Sequence, residues 1–305
     1  MKDIQLLKQN VQEYAGILEF PQEAQTRLFE VLRAVAENEE AFVSFSGLLE
    51  EYDASFDLDY KLRVDTMKML SESVGVDARE GWLLLYVAML PRLRRYFEEK
   101  GIPDKLFLAI IPDLRYKLTE CTLIEGVYGL MDSAVIGWYA LLFTCKLLAF
   151  GRLQFVFQEA KFECECDGVK IEQDTPVLSI HIPRTGGKLD RDGVLTAYRE
   201  AAAYYAPFFG TRPIIMTCST WMFFPRHEEF LAPDSNMMQF YHDFRLVSSG
   251  EYDNYASIWR LFDHHYTGSV DDLPQNTTLR RAYAGMIRRG EKTGWGRGVM
   301  IYREK

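Results

Sequence analysis

His181 and Cys218 are the two side chains best suited to carry a reaction, one as a base and one as a nucleophile. An imidazole titrates near neutral pH and takes a proton from an attacking group. A thiol beside such a base attacks a carbonyl carbon itself, provided that a third group orients the base. Both residues lie late in apolar runs that read as strands, PVLSIHIP and PIIMTCSTW, which places both near one edge of a sheet. The plainer readings are a hydrogen-bonded core histidine and a buried, unreactive cysteine. Between them, in the stretch 176–210, a strand stops at Pro183 and passes through Gly186-Gly187, flanked by Arg184 and Lys188. It enters a helix at Asp190. Strand, glycine loop and helix N-terminus together bind anions such as pyrophosphate through backbone N–H groups and the helix dipole. The loop fits neither the Walker pattern nor GxGxxG, and a simple tight turn reads equally well.

Other polar groupings are weaker. Ser235, Asn236 and Gln239 lie in PDSNMMQF, where Asp234 or Ser235 reads as a helix cap and the set as substrate contacts. Arg280, Arg281, Arg288, Arg289, Lys292 and Arg297 form a basic patch suited to phosphates or to an acidic substrate, or else a solvated face. Cys164 with Cys166, and His264 with His265, lack the spacing and company of a metal site, so no metal is expected. The acidic band from Glu37 to Asp53 reads as a solvated face.

A chain of 305 residues, 48% hydrophobic, holds about two packed domains. Its net charge of -9 argues against general nucleic-acid affinity, which requires a basic surface. Five scattered cysteines suggest a reducing compartment. MKDIQLLKQN has no apolar region of the secretory kind, and the longest apolar run, 134–150, contains Lys146. That run falls short of the ~20 residues of a membrane helix. The expectation is a cytoplasmic protein with a small-molecule substrate, no membrane association and an open oligomeric state.

Residues 1–150 read as helical. Pro21 starts one helix, Asp57 or Asp59 caps another, and Asp77 caps a third in which Pro91 predicts a kink or break. Two more apolar helices are expected around 106–118 and 131–148. From Gly151 the pattern alternates, with a hairpin signal at Asp167-Gly168. Expected next are the strand ending at Ile182, a helix with Val194, Tyr198, Ala201 and Tyr205 on one stripe, and a strand at 213–221. An irregular or helical stretch to Phe244 precedes a strand at 257–263 and a helix from Thr277 to Gly290. A last strand at 299–303 follows glycine-rich 294–298. The domains are thus an all-helical 1–150 and an α/β 151–305, an α+β protein.

Gly151-Arg152-Leu153-Gln154-Phe155, His181-Ile182-Pro183, Cys218 with Thr220-Trp221, Ser235-Asn236 and Thr277-Thr278-Leu279 recur in order at specific spacings. On these residues 150–300 resembles a bacterial family of predicted acyltransferases with a helical N-terminal domain and a GNAT-like C-terminal domain. The resemblance implies a mixed, mostly antiparallel sheet and a loop holding the pyrophosphate of an acyl-CoA co-substrate, here Ile182, Arg184, Gly186, Gly187 and Lys188. Arg184 and Gly187 fit that loop pattern, while Leu189 puts a side chain where the pattern has Gly or Ala. It also implies a gap between the central strand and the next, where the thioester lies beside 179–182 and 217–219. The implied reaction is direct acyl transfer to an amine or similar nucleophile. His181 is then the base, Tyr241 or Ser235 the acid, and Trp221, Asn236 and Gln239 contact substrate. Two rival readings are a catalytically inactive ligand- or protein-binding module with a degenerate cofactor loop, and a covalent acyl carrier on Cys218.

Overall fold

The computed structural model describes residues 4–131 and 133–303. The chain forms two compact units that meet in sequence at Leu148 and Ala149. The first unit is helical: α1 (Ile4–Ile17), α2 (Gln22–Glu37), α3 (Glu39–Ser55), α4 (Tyr60–Ser73), α5 (Ala78–Glu99), α6 (Asp104–Ile110), α7 (Asp113–Glu125) and α8 (Ser133–Phe143). Asp59 caps α4, and Asp77 with Glu80 forms a capping box on α5, so these starts follow from local chemistry. Every residue of α5 from Glu80 to Leu90 is buried, the mark of a helix enclosed on all sides.

That enclosure corrects one expectation. Of the kink or break expected at Pro91, the break does not occur: α5 continues through it to Glu99, because burial of the surrounding turns outweighs one lost hydrogen bond. The expected helix at 106–118 is divided at Pro112 into α6 and α7. The expected helix at 131–148 ends at Phe143, and Cys145 adopts a left-handed φ of 57° before the chain turns into a strand. A continuous apolar run carries no period by which to tell helix from strand.

The second unit contains β1 (Leu147–Phe150), β2 (Leu153–Glu159), β3 (Cys164–Cys166), β4 (Val169–Ile171), β5 (Pro176–His181), β6 (Ile214–Thr220), β7 (Arg245–Glu251) and β8 (Gly294–Tyr302). Its helices are α9 (Arg191–Phe209), α10 (Asn236–His242), α11 (Trp259–Phe262) and α12 (Thr278–Arg288). Six strands form a sheet in the order β1-β2-β5-β6-β8-β7, and β3 with β4 forms a hairpin. β5 and β6 run parallel; β2 with β5, β6 with β8, and β7 with β8 run antiparallel.

The two faces of this sheet differ. Phe155 and Phe157 of β2 share a face with Leu178 and Ile180, and Phe157 meets the rings of Tyr205, Phe208 and Phe209 on α9. On the other face Val177, Ile215, Val299 and Ile301 pack beneath Cys166 and Ile171 of the hairpin. Residues 257–263 hold the short helix α11 rather than a strand, because Ile258 and Phe262 turn inward one helical turn apart.

The last strand, expected from 299, already begins at Gly294 and includes the glycine-rich 294–298. Gly294, Gly296 and Gly298 alternate along β8, and their bare faces admit the 3₁₀ turn Trp221–Phe223 and its neighbours. A Cβ on Gly296 would stand 2.2 Å from the Phe223 carbonyl oxygen, and one on Gly298 2.6 Å from the Phe223 ring and from Phe244 Cβ. Gly47, in α3, has nothing within 4 Å of such an atom. Gly296→Ala is therefore expected to destabilise the chain by about 1–3 kcal/mol through overpacking against backbone. Gly47→Ala should stabilise it by up to ~1 kcal/mol through helix propensity. Urea unfolding of both variants checks the contrast, and equal midpoints would refute the packing explanation.

Candidate active site

Parallel pairing of β5 and β6 covers Leu178↔Met216 and Ser179↔Thr217, while both strands continue beyond those pairs. Ile180 and His181 on one side, and Cys218 to Thr220 on the other, flank the stretch where this pairing is lost, a gap in the hydrogen-bond ladder. Backbone groups facing such a gap need partners. The face beneath the hairpin is apolar at the paired end and polar at the open end. Register brings Gln154 opposite His181, Ser179 opposite Thr217, and Ser219 opposite Arg297 on this one face.

His181 is half-buried, and its Nε2 lies 3.2 Å from Ser179 Oγ, two residues back along the same face. Burial pulls its pKa from 6.5 down to about 4, so the ring is neutral at pH 7. Ser179, 8% exposed, is a neighbour that the sequence reading set beside the gap without giving it a role. Its signal was the i, i+2 spacing from His181 on a strand.

Cys218 belongs elsewhere. It follows Thr217 by one residue and so turns to the α9 face, away from His181. The thiol is buried, and burial pushes its pKa up to about 12. The Cys–His pair is thus corrected: one residue of register separates the two side chains by the thickness of the sheet.

The loop after β5 is built largely on its own contacts. Gly187 has a φ of +93° and its carbonyl accepts from Arg152 Nε at 3.1 Å. Arg184 donates from Nε to the Arg260 carbonyl at 2.7 Å and pairs with Asp263, which also pairs with Arg280. Asp190 caps α9, accepting from Gly193 N at 2.8 Å, so one N-terminal donor of the helix is occupied. Gly187 and Lys188 are exposed, and Ile182 and Gly186 are half-buried. The basic patch is mostly paired: Arg288 with Asp271 at 2.7 Å, Arg289 with Glu291 at 2.6 Å, and Lys292 with Asp253 at 3.5 Å.

Ser235 caps α10, accepting from Met238 N, and Gln239 Nε2 donates to the Asp234 carbonyl at 2.7 Å; Asn236 is exposed. Tyr241 packs edge-on against Phe223, on the α9 side of the sheet. Arg191 joins α9 to Asp243 just beyond α10 through an ion pair of 2.5 Å. Trp221 lines a cavity of about 20 Å³ with Tyr283 and Thr293. Sequence reading also missed His227, which is fully buried. Its Nδ1 donates to the Met222 carbonyl at 3.1 Å, so Nε2 accepts from the Tyr283 hydroxyl at 2.6 Å. Both nitrogens are spent, and the residue ties α12 to the segment after β6.

Residues 147–300 match the family of GNAT-like C-terminal domains, and residues 9–145 match the N-acyltransferase N-terminal domain. The chain belongs to this family of two-domain acyltransferases. No curated protein matches the acyltransferase. Among solved structures it is similar to an acyltransferase in complex with decanoyl-CoA, at 23% identity and a TM-score of 0.76, covering 96% of this chain and 88% of that one. An acyltransferase in complex with decanoyl-CoA and teicoplanin gives 22% identity and 0.73, covering 95% and 87%. An acyltransferase mutant with octanoyl-CoA gives 22% and 0.75, covering 97% and 88%. Among the described residues of the acyltransferase, no helix is long and apolar enough to cross a membrane.

Two outcomes follow from burial in this acyltransferase. His181 and His227 both titrate at about 4 when folded, against 6.5 when free. The folded chain binds fewer protons across that window, so stability is full above about pH 6.5 and falls as the pH drops toward 4. Urea midpoints should decline between pH 7 and 5, above the range where carboxylates protonate; a flat profile there would contradict the buried neutral rings. In the native protein at pH 8, iodoacetamide should leave Cys218 unmodified by peptide mass mapping. Rapid alkylation of Cys218 would restore it as a nucleophile.

Proposed function

We propose that the chain transfers an acyl group from an acyl-CoA thioester to an amine, with the thioester held in the gap between β5 and β6. The observation that carries this reading is the loss of pairing after Ser179 and Thr217, which opens the sheet beside a neutral imidazole. Strand N–H groups released along the gap are donors for the thioester carbonyl, where negative charge gathers as the amine attacks. His181 takes the amine proton, and Ser179 steadies the ring from 3.2 Å. Tyr241, whose pKa burial raises, stays protonated and supplies the proton for the departing thiolate. Ser235 is spent as a cap, and direct attack requires no thiol intermediate on Cys218.

For the co-substrate, exposed Gly187 and Lys188 offer backbone and a cation to the phosphates; open space lies around the Gly187 Cα. The CoA thioesters named with the similar structures support medium-chain acyl groups as the first donors to test. The unpaired cysteines support a reducing, cytoplasmic setting. A second reading, a binding module without turnover, draws on the internal engagement of Arg184 and Asp190, which leaves fewer groups for phosphate.

Calorimetry with octanoyl- and decanoyl-CoA separates the readings. The acyltransferase binds them and releases free thiol when an amine is added; a folded chain giving no heat contradicts it. His181→Gln is expected to lower kcat by about 10²–10⁴ with little change in acyl-CoA affinity, as loss of a general base does. The enzyme-side acid limb of kcat should lie near pH 4, since the reactive form is the deprotonated ring. A limb near pH 6.5, or full activity in the variant, would remove His181 from the mechanism.

A further inference from the structure

Arg297 is the one member of the C-terminal basic set that stands on the sheet, and among the described residues it forms no ion pair. Its guanidinium lies 4.6 Å from the centre of the Phe162 ring and 5.9 Å from that of Trp295. Two rings hold the planar cation without consuming its five donors. Trp295 is itself fixed: a Cβ on Gly250, its cross-strand partner, would come within 3.0 Å of the indole nitrogen. Ser219, Thr220, Tyr252, Trp295 and Arg297 line an open pocket of about 350 Å³. A half-buried arginine kept flat and unpaired in a pocket of hydroxyls is a fork for a planar anion, and carboxylate matches it with two parallel hydrogen bonds.

Position selects the source of that anion. The glycine loop, where the CoA phosphates are placed above, leaves β5 toward α9, whereas Arg297 lies on β8, beyond β6 from β5. Ser219, its partner across the ladder, borders the gap. Directly opposed residues have Cβ atoms about 5 Å apart, so an anion on Arg297 sits within a few bonds of a nucleophile in the gap. The geometry points to an acceptor that carries a carboxylate close to its amine, the α-amino acid class, held by Arg297 with Trp295 and Ser219 around it. This inference rests on the acyl-transfer reading and adds the acceptor to it.

N-octanoylglycine and its carboxamide are product-like probes that differ only in the carboxylate, and their binding requires no turnover. Calorimetry is expected to show the carboxylate binding at least about tenfold tighter to the natural chain, as for a charge-assisted pair. In Arg297→Gln the preference should fall below about twofold, with octanoyl-CoA affinity unchanged and Arg297→Lys intermediate. Equal binding of the two probes, binding of neither, or a preference that survives Arg297→Gln overturns the inference. Loss of octanoyl-CoA binding in the variant also overturns it, by moving Arg297 to the donor. Failure of the natural chain to bind octanoyl-CoA counts instead against the acyl-transfer reading, because the probe pair is read without it.

Discussion

Parallel pairing between β5 and β6 is confined to two residue pairs, and the organisation of the second unit follows from that restriction. The strands are clamped at one end from both sides. Val177 and Ile215 lie under the β3–β4 hairpin, while Leu178 shares its face with Phe157, whose ring is gripped by α9. Apolar burial of this kind contributes about 25 cal/mol per Å², so the clamped end is dear to open. Beyond it the packing changes to Ser, Thr, His, Gln and Arg. There the pairing of β5 with β6 ends, and the backbone groups it no longer engages need other partners.

The same solvation argument separates two histidines with equal shifts. Burial lowers both to about 4. His227 has each nitrogen engaged and no exposure, which makes it a brace between α12 and the turn after β6. His181 is half-buried at the end of β5, where its pairing with β6 has ended, with Nε2 3.2 Å from a serine hydroxyl. A depressed pKa alone does not mark a catalytic group; the surroundings of the two nitrogens do.

Much of the fold was legible because local chemistry decides it. Asp59, Asp77 and Thr277 cap the helices that their positions predict, and Tyr283, Met286 and Ile287 face inward on α12. Features that depend on distant partners were not. Alternating glycines at 294–298 were left outside the last strand, because the aromatic segment filling their bare face is not visible in the sequence. β7, with Ser248, Ser249 and Gly250 half or fully exposed, shows little of the strand signal. His181 and the glycine loop stood out by residue type. The face that Cys218 occupies is set by inter-strand register, which a single sequence does not contain. Arg297 was visible only as one charge in a run, since its place on the sheet is set by the pairing of β8 with β6.

A crystal structure with an unreactive thioether analogue of octanoyl-CoA would test the gap directly. The account predicts the sulfur between the open ends of β5 and β6, with His181 on the side from which an amine arrives and the phosphates over Gly187 and Lys188. An analogue bound anywhere else, with Ile180 and His181 paired to β6 across a closed sheet, would contradict it.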